Sequence, residues 1–246
     1  MPSGANLSDF DCRRFLFQQC TGKLFLEIFS GASCVAAKLR HKKFPCIAFE
    51  PTKSSLFDLT HPAVIQTICA WIRHDLVAGI WLGTPCKTWS VACKPACRSL
   101  EHIWGLPDLP AHRIPGLELG NKTLRSTCTF IRCCIRAKVP IILENPQSSM
   151  MFASPPLSRL LSHPSCSCVD LTMCAFGTPW RKGTKLATWF ANSTAFLNHK
   201  CSGKKCCSYT GRPHVVLQGQ LCPRAAIYPP RFAHLAAAVL AAAAVP

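Results

Sequence analysis

Acidic residues are scarce in this chain: 11 Asp and Glu stand against 28 Lys and Arg in 246 residues, a formal net charge of +17. Such an excess predicts a polyanionic partner, nucleic acid, over a charge that serves solubility alone, because surface Lys and Arg gain most by neutralising phosphates. Long apolar runs are missing too. The tail FAHLAAAVLAAAAVP is interrupted by His234 and too short for a membrane span, so no membrane partner is expected. The tail reads as an Ala-rich helix packed on the domain, with a membrane-surface helix as the alternative. The N-terminus MPSGANLSDFDCRRF lacks an uninterrupted apolar segment, which predicts an intracellular protein, nuclear or cytoplasmic and not secreted. The 18 cysteines are then expected as thiols and not as a disulfide framework.

The order of local signals predicts an α/β fold. KLFLEIFSGAS is a short apolar run ended by Ser30 and Gly31, followed by the helical pattern CVAAKLRHKK; PCIAFEP, HPAVIQTICAWIRH and VAGIWL continue as strand, helix and strand. This β, α, β, α, β alternation predicts a doubly wound, mostly parallel Rossmann-like sheet with helices on both faces. Residues 87–115, with four prolines, read as a loop; LELGNKTLRSTCTFIRCCIRAK then reads as a helix and VPIILEN as a strand. Further short strands are expected near 171–176, 185–190 and 214–217.

In such sheets ligands bind beyond the carboxyl ends of the strands. The first strand ends in Phe29, Ser30 and Gly31, where a small residue lets backbone approach a cofactor, although a full glycine fingerprint is absent. Nineteen residues beyond Gly31 the second strand ends at Glu50, placed to accept hydrogen bonds from ribose hydroxyls. Asp58 suits an adenine amino group, with the N-cap of the helix starting near His61 as an explanation almost as good. The third strand ends in GTPCKTWS: Gly83 permits a tight exit, Pro85 stiffens it, and Cys86 is presented to the cleft, where basic neighbours would favour its thiolate. The fourth ends in LENP, where desolvation would raise the pKa of Glu144 and fit it for acid catalysis.

Taken in order, FLEIFSGAS, FEP, FDLT, GTPCKTWS and LENP resemble the successive motifs of the DNA (cytosine-5) methyltransferases, across roughly residues 24–190. The resemblance implies a class I methyltransferase fold and S-adenosylmethionine as cofactor, held at Phe29, Ser30, Gly31, Glu50, Asp58 and Gly83. It implies a nucleic-acid substrate, DNA ahead of RNA. Cys86 would attack carbon 6 of a flipped cytosine while Glu144 protonates ring N3. Arg181 or Lys185, in CAFGTPWRKGTKLATW, stands where the family keeps a pyrimidine-contacting arginine.

The chain departs from that pattern in several places. Pro146 replaces the usual valine, the late Gly-Asn-Ser motif is missing, and residues 191–220 are too few for a usual target-recognition domain. The chain is thus more similar to shortened, mobile-element-associated members. The segments read as a tail over 1–22, a catalytic domain over 23–190, a Cys/His-rich basic insertion over 191–220 and a returning C-terminal helix over 221–246. In the insertion, HKCSGKKCCSYTGRPH offers Cys201, Cys206, Cys207 and His214, with His199 nearby, as ligands of a small zinc site, or else as plain thiols in a basic loop. Cys166, Cys168 and Cys174 read as structural. Lys200, Lys204, Lys205 and Arg212 in the same element would contact phosphates. Two other readings compete: a module that binds nucleic acid without catalysis, and an amino-group methyltransferase using Asn145-Pro146.

Overall fold

A computed structural model describes residues 22–244 except 53, 55 and 56; the expected tail over 1–22 therefore lies, Gly22 apart, outside the described residues. Six strands form one sheet: β1 (Leu24–Ile28), β2 (Cys46–Phe49), β3 (Val77–Leu82), β4 (Ile141–Pro146), β5 (Cys166–Thr172) and β6 (Gly183–Trp189), in the order β2-β1-β3-β4-β6-β5. The pairs β1·β2, β1·β3 and β3·β4 are parallel, whereas β6 runs antiparallel to both β4 and β5. The sheet is mixed and mostly parallel, as the alternation of signals predicts.

Strands covered on both faces must be apolar on both, and β1 is buried at every position. Period-2 alternation divides the core. Leu24, Leu26, Ile28, Ile80, Leu82, Ile141 and Leu143 face α2 (Pro62–Arg73), α3 (Ile114–Ala137) and α4 (Pro155–Leu161) through Ile68, Ile72, Leu124, Ile131 and Leu157. Phe25, Trp81 and Ile142 face α1 (Cys34–His41) and α6 (Pro230–Ala243) through Val35, Leu39, Phe232, Ala236 and Leu240. Alanines let α6 lie close: a Cβ placed on Gly79 of β3 would stand 3.0 Å from Leu240. Helix α6 packs on α1 and β3 and is preceded by the short α5 (Leu221–Ala226). No helix among the described residues is long and apolar enough to cross a membrane.

Several boundaries differ from the sequence expectation. Helix α3 begins at Ile114, not Leu117, because Pro115 lies in its first turn, where a missing N–H has no intrahelical partner to lose. The strand expected near 171–176 is β5, ending at Thr172, followed by a 3-10 turn over Met173–Phe176. No strand forms at 214–217: His214 donates to Lys205 O and Val215 to Pro179 O, and the isolated bridge Cys206–Pro213 has no neighbour to extend it into a ladder.

The candidate site at the strand ends and a second cluster of thiols

The sheet order reverses between β1 and β3, so their carboxyl ends flank the crevice where doubly wound sheets bind ligands. The two ends touch: Gly83 N–H donates to Ile28 O at 3.0 Å. A Cβ on Gly83 would meet Phe29 O at 2.9 Å and the Tyr228 hydroxyl at 3.1 Å, so glycine is required by the crossing itself. Beyond β1 the chain turns through positive φ at Phe29 (57°) and Gly31 (50°), and a Cβ on Gly31 would meet no atom within 4 Å. Glu50 closes this turn from β2: its Oε2 accepts from Gly31 N–H at 2.7 Å, and its Oε1 from the Thr52 amide and hydroxyl at 3.3 and 3.0 Å.

Asp58 does not cap the next helix; it closes the turn just before it. Its Oδ1 accepts from Thr60 N–H at 2.9 Å and the Thr60 hydroxyl at 2.7 Å, while His61 is the N-cap of α2 and accepts from Ala63. Burial works against the Asp58 charge, but those bonds prevail and hold its carboxyl below the usual range. Sequence reasoning missed Glu27, a carboxylate inside an otherwise apolar strand. It is fully buried and accepts from Ala36 and Val35 N–H at the start of α1, where the helix dipole favours negative charge.

Beyond β3, Cys86 is partly buried in the turn that leads to Trp89 and Ser90, whose amides both donate to Cys86 O. The turn is fixed from β4 and α3: Asn145 Nδ2 donates to Thr84 O at 2.7 Å, and the Thr84 and Thr127 hydroxyls share a bond of 2.7 Å. Arg98 organises the long loop that follows. Its buried guanidinium lies 3.5 Å over the Trp89 ring and donates to Thr88 O, Ile103 O, Leu117 O and Asn121 Oδ1. Gly120 of α3 leaves the space that Thr88 fills.

Glu144 faces the α6 side of the sheet, as its alternation with Ile142 requires. Tyr228, just before α6, donates to Glu144 Oε2 at 2.8 Å and accepts from Trp81 Nε1 at 3.3 Å. Burial and the adjacent carboxylate keep the Tyr228 phenol well above its usual pKa, so it remains a donor. Lys182 Nζ lies 3.7 Å from Glu144 Oε1, and no hydrogen bond from the protein reaches that oxygen. The apolar surroundings expected for this carboxyl are therefore replaced by a phenol and an ammonium. Cys86 feels the charges of this cluster. Burial, and then Glu144, push its thiol up, while Lys182 pulls it down; the net is upward, against the expectation that basic neighbours would dominate.

Of the residues singled out from sequence, Phe29, Ser30, Gly31, Glu50 and Gly83 gather at the β1 and β3 ends, and Cys86 lies within electrostatic reach of Glu144 on β4. Arg181 does not join them, because its guanidinium is committed to Cys201 O at 2.9 Å. Lys185 lies with its ammonium 5.1 Å over the Phe152 ring. The cation beside Glu144 is Lys182, which together with Tyr228 was not anticipated.

A second cluster lies beyond the far end of β5. The ligand atoms of Cys174, Cys201, Cys207 and His214 fall within 4.8 Å of one another, three buried thiols and a half-buried imidazole able to hold a metal ion. The expected set is corrected at one member: Cys206 is exposed and Cys174, read as structural, takes its place. The reason is backbone direction. Cys206 bridges to Pro213, while the 3-10 turn after β5 brings Cys174 inward. Burial raises the Cys201 thiol, but the hydroxyl and amide of Ser208 at 3.3 Å outweigh it and lower its pKa to about 6. His199 stays outside the group, stacked on Phe176 at 4.6 Å. Compared with known proteins, the chain matches no family model and no curated protein.

Proposed function

We propose that this chain is a class I methyltransferase that transfers a methyl group to carbon 5 of cytosine in nucleic acid, DNA ahead of RNA. The observation that carries the reading is the Glu144–Lys182 pair at the carboxyl end of β4, within electrostatic reach of Cys86 on the turn after β3, beside the crevice where the strand order reverses. A nucleophile, a carboxyl group and a cation assembled from three separate segments are not what core packing requires.

The crevice residues suit S-adenosylmethionine: open space over Gly31, a positive-φ turn, and a carboxylate at Glu50 with lone pairs to spare beyond its three donors. Bound there, that cofactor would supply an electrophilic methyl group. The protein's part is to make carbon 5 nucleophilic. Cys86 gives its thiol proton to solvent and its sulfur bonds to carbon 6 of the flipped base as the 5,6 π bond opens, while protonation of ring N3 through Glu144 leaves that electron pair available at carbon 5. Once carbon 5 is methylated, loss of its proton to solvent re-forms the 5,6 double bond, expels the Cys86 sulfur and lets N3 return its proton to Glu144. Lys182 favours the thiolate and Tyr228 holds Glu144 in place. Asn145, through Thr84, keeps the nucleophile turn against β4. The metal suited to three thiolates and one imidazole is zinc, and it belongs to this reading as a structural element.

A duplex carrying 5-fluorocytosine tests the reaction in the presence of cofactor, because fluorine cannot leave as a proton and the Cys86 adduct persists. A covalent complex that disappears in Cys86→Ser is expected. Trapping that survives this change, or methyl found on an exocyclic amino group, refutes the mechanism. A binding module without catalysis is favoured by one feature, the commitment of Glu144 to Tyr228 and Lys182; it predicts nucleic-acid binding with no adduct.

A further inference from the structure

Asp170 is the last acidic residue of the chain: residues 171–246 carry nine Lys and Arg and no Asp or Glu. Within that stretch Arg181, Lys204 and Lys205 converge on an open cleft of about 490 Å³, whose remaining wall is Pro213 to Leu217. Val215 and Val216 are exposed there. The segment that forms the cleft has almost no regular secondary structure of its own and few buried apolar side chains to hold it.

The thiol cluster is what holds it. Cys174 comes from the turn after β5, Cys201 from the entry to the segment, and Cys207 and His214 from its far arms. In a tetrahedral zinc site with bonds of about 2.3 Å to sulfur, ligand atoms stand about 3.8 Å apart. Cys201 Sγ and His214 Nε2 are 3.8 Å apart, and the whole set lies within 4.8 Å. Two of the four ligands are joined to the cleft: Cys201 O accepts from Arg181, His214 N–H donates to Lys205 O, and His214 is itself part of the wall. Met173, beside Cys174, donates its N–H to Lys182 O, so the same anchor reaches the cation at Glu144.

We infer that one zinc ion bound by Cys174, Cys201, Cys207 and His214 builds a cleft from Arg181, Lys204 and Lys205 that grips the phosphodiester backbone of DNA. This inference rests on nucleic acid being the substrate. The cleft does the holding that so short a segment could not do through a separately folded domain.

The test uses the full chain, purified without chelator or a histidine tag, with metal analysis and fluorescence anisotropy on a labelled DNA duplex at several salt concentrations. Close to one equivalent of zinc is expected, lost in Cys174→Ser and kept in Cys206→Ser. The double variant Lys204→Ala, Lys205→Ala leaves every ligand in place; it should keep its zinc and flatten the dependence of log affinity on log salt by about 1.8, roughly 0.9 for each lost contact. Metal-free protein whose melting is unchanged by chelator overturns the zinc site. Zinc loss in Cys206→Ser but not in Cys174→Ser overturns the ligand set. An unchanged salt slope in the double lysine variant overturns the cleft, whatever the 5-fluorocytosine experiment gives. A flattened slope in protein that forms no adduct leaves the cleft standing and removes the catalytic reading.

Discussion

Replacing Tyr228 by phenylalanine removes one oxygen and leaves the ring, so it probes the hydrogen bonds of the Glu144 cluster without opening a large cavity. The ring keeps its packing on Trp81 and Phe232, at centroid distances of 5.7 and 5.2 Å. Two bonds disappear: the 2.8 Å bond to Glu144 Oε2 and the 3.3 Å bond from Trp81 Nε1. A bond to a charged group contributes about 1.5 to 3 kcal/mol and a neutral one about 1 kcal/mol. Lys182, already 3.7 Å from the other oxygen, can close on the carboxylate and recover part of the loss. The expected cost is about 2 to 3 kcal/mol, a substantial fraction of the 5 to 15 kcal/mol typical of a domain. Urea unfolding of the wild type, Tyr228→Phe, Glu144→Gln and the double variant measures it, and the cycle should give a coupling of about 1 kcal/mol or more between the two residues. Additive effects, with Tyr228→Phe within about 0.5 kcal/mol of the wild type, would show that the phenol does not hold Glu144.

Two further outcomes follow from the same geometry. A thiol whose pKa is raised holds less thiolate at a given pH, so alkylation of Cys86 by iodoacetamide, followed by mass spectrometry of its peptide, should reach its midpoint at higher pH than an exposed cysteine. Lys182→Met should slow that alkylation at fixed pH and Glu144→Gln should speed it; the opposite order would refute the assigned electrostatics. Gly83→Ala forces a Cβ against the Phe29 carbonyl and the Tyr228 hydroxyl and should cost about 1 to 3 kcal/mol, lowering the melting temperature by about 2 to 4 °C per kcal/mol. A melting temperature equal to the wild type's would show that the ends of β1 and β3 are not in close contact.

The legible parts of this chain are those whose cause is local. The apolar runs of β1, β3 and β4 mark themselves as strands buried on both faces, and the residues that end them follow directly, so the sequence pattern alone puts Gly31, Glu50, Gly83, Cys86 and Glu144 at one edge of a sheet. Their surroundings could not. Tyr228 lies 84 residues from Glu144 and 147 from Trp81, and nothing in IYPPRF distinguishes a tyrosine that donates to a carboxylate from one that faces water. The choice of Lys182 over Arg181 depends on which of two adjacent side chains turns toward β4 where β6 begins, a difference that composition does not carry.

The thiol cluster illustrates the same division within one site. Cys201, Cys207 and His214 share a short segment, so their spacing was readable, but spacing alone could not choose the fourth ligand, and the nearest cysteine in sequence, Cys206, was the wrong one. Adjacent residues in an extended stretch point to opposite sides, so Cys206 and Cys207 can both serve one ion only if the chain bends between them. Here it does not, and Cys206 is exposed while Cys207 is buried. The missing ligand then has to come from whatever packs beneath, which is the turn after β5. A ligand drawn from the sheet does what a ligand from the segment itself would not: it fastens the segment to the domain, and with it the basic residues that the segment carries.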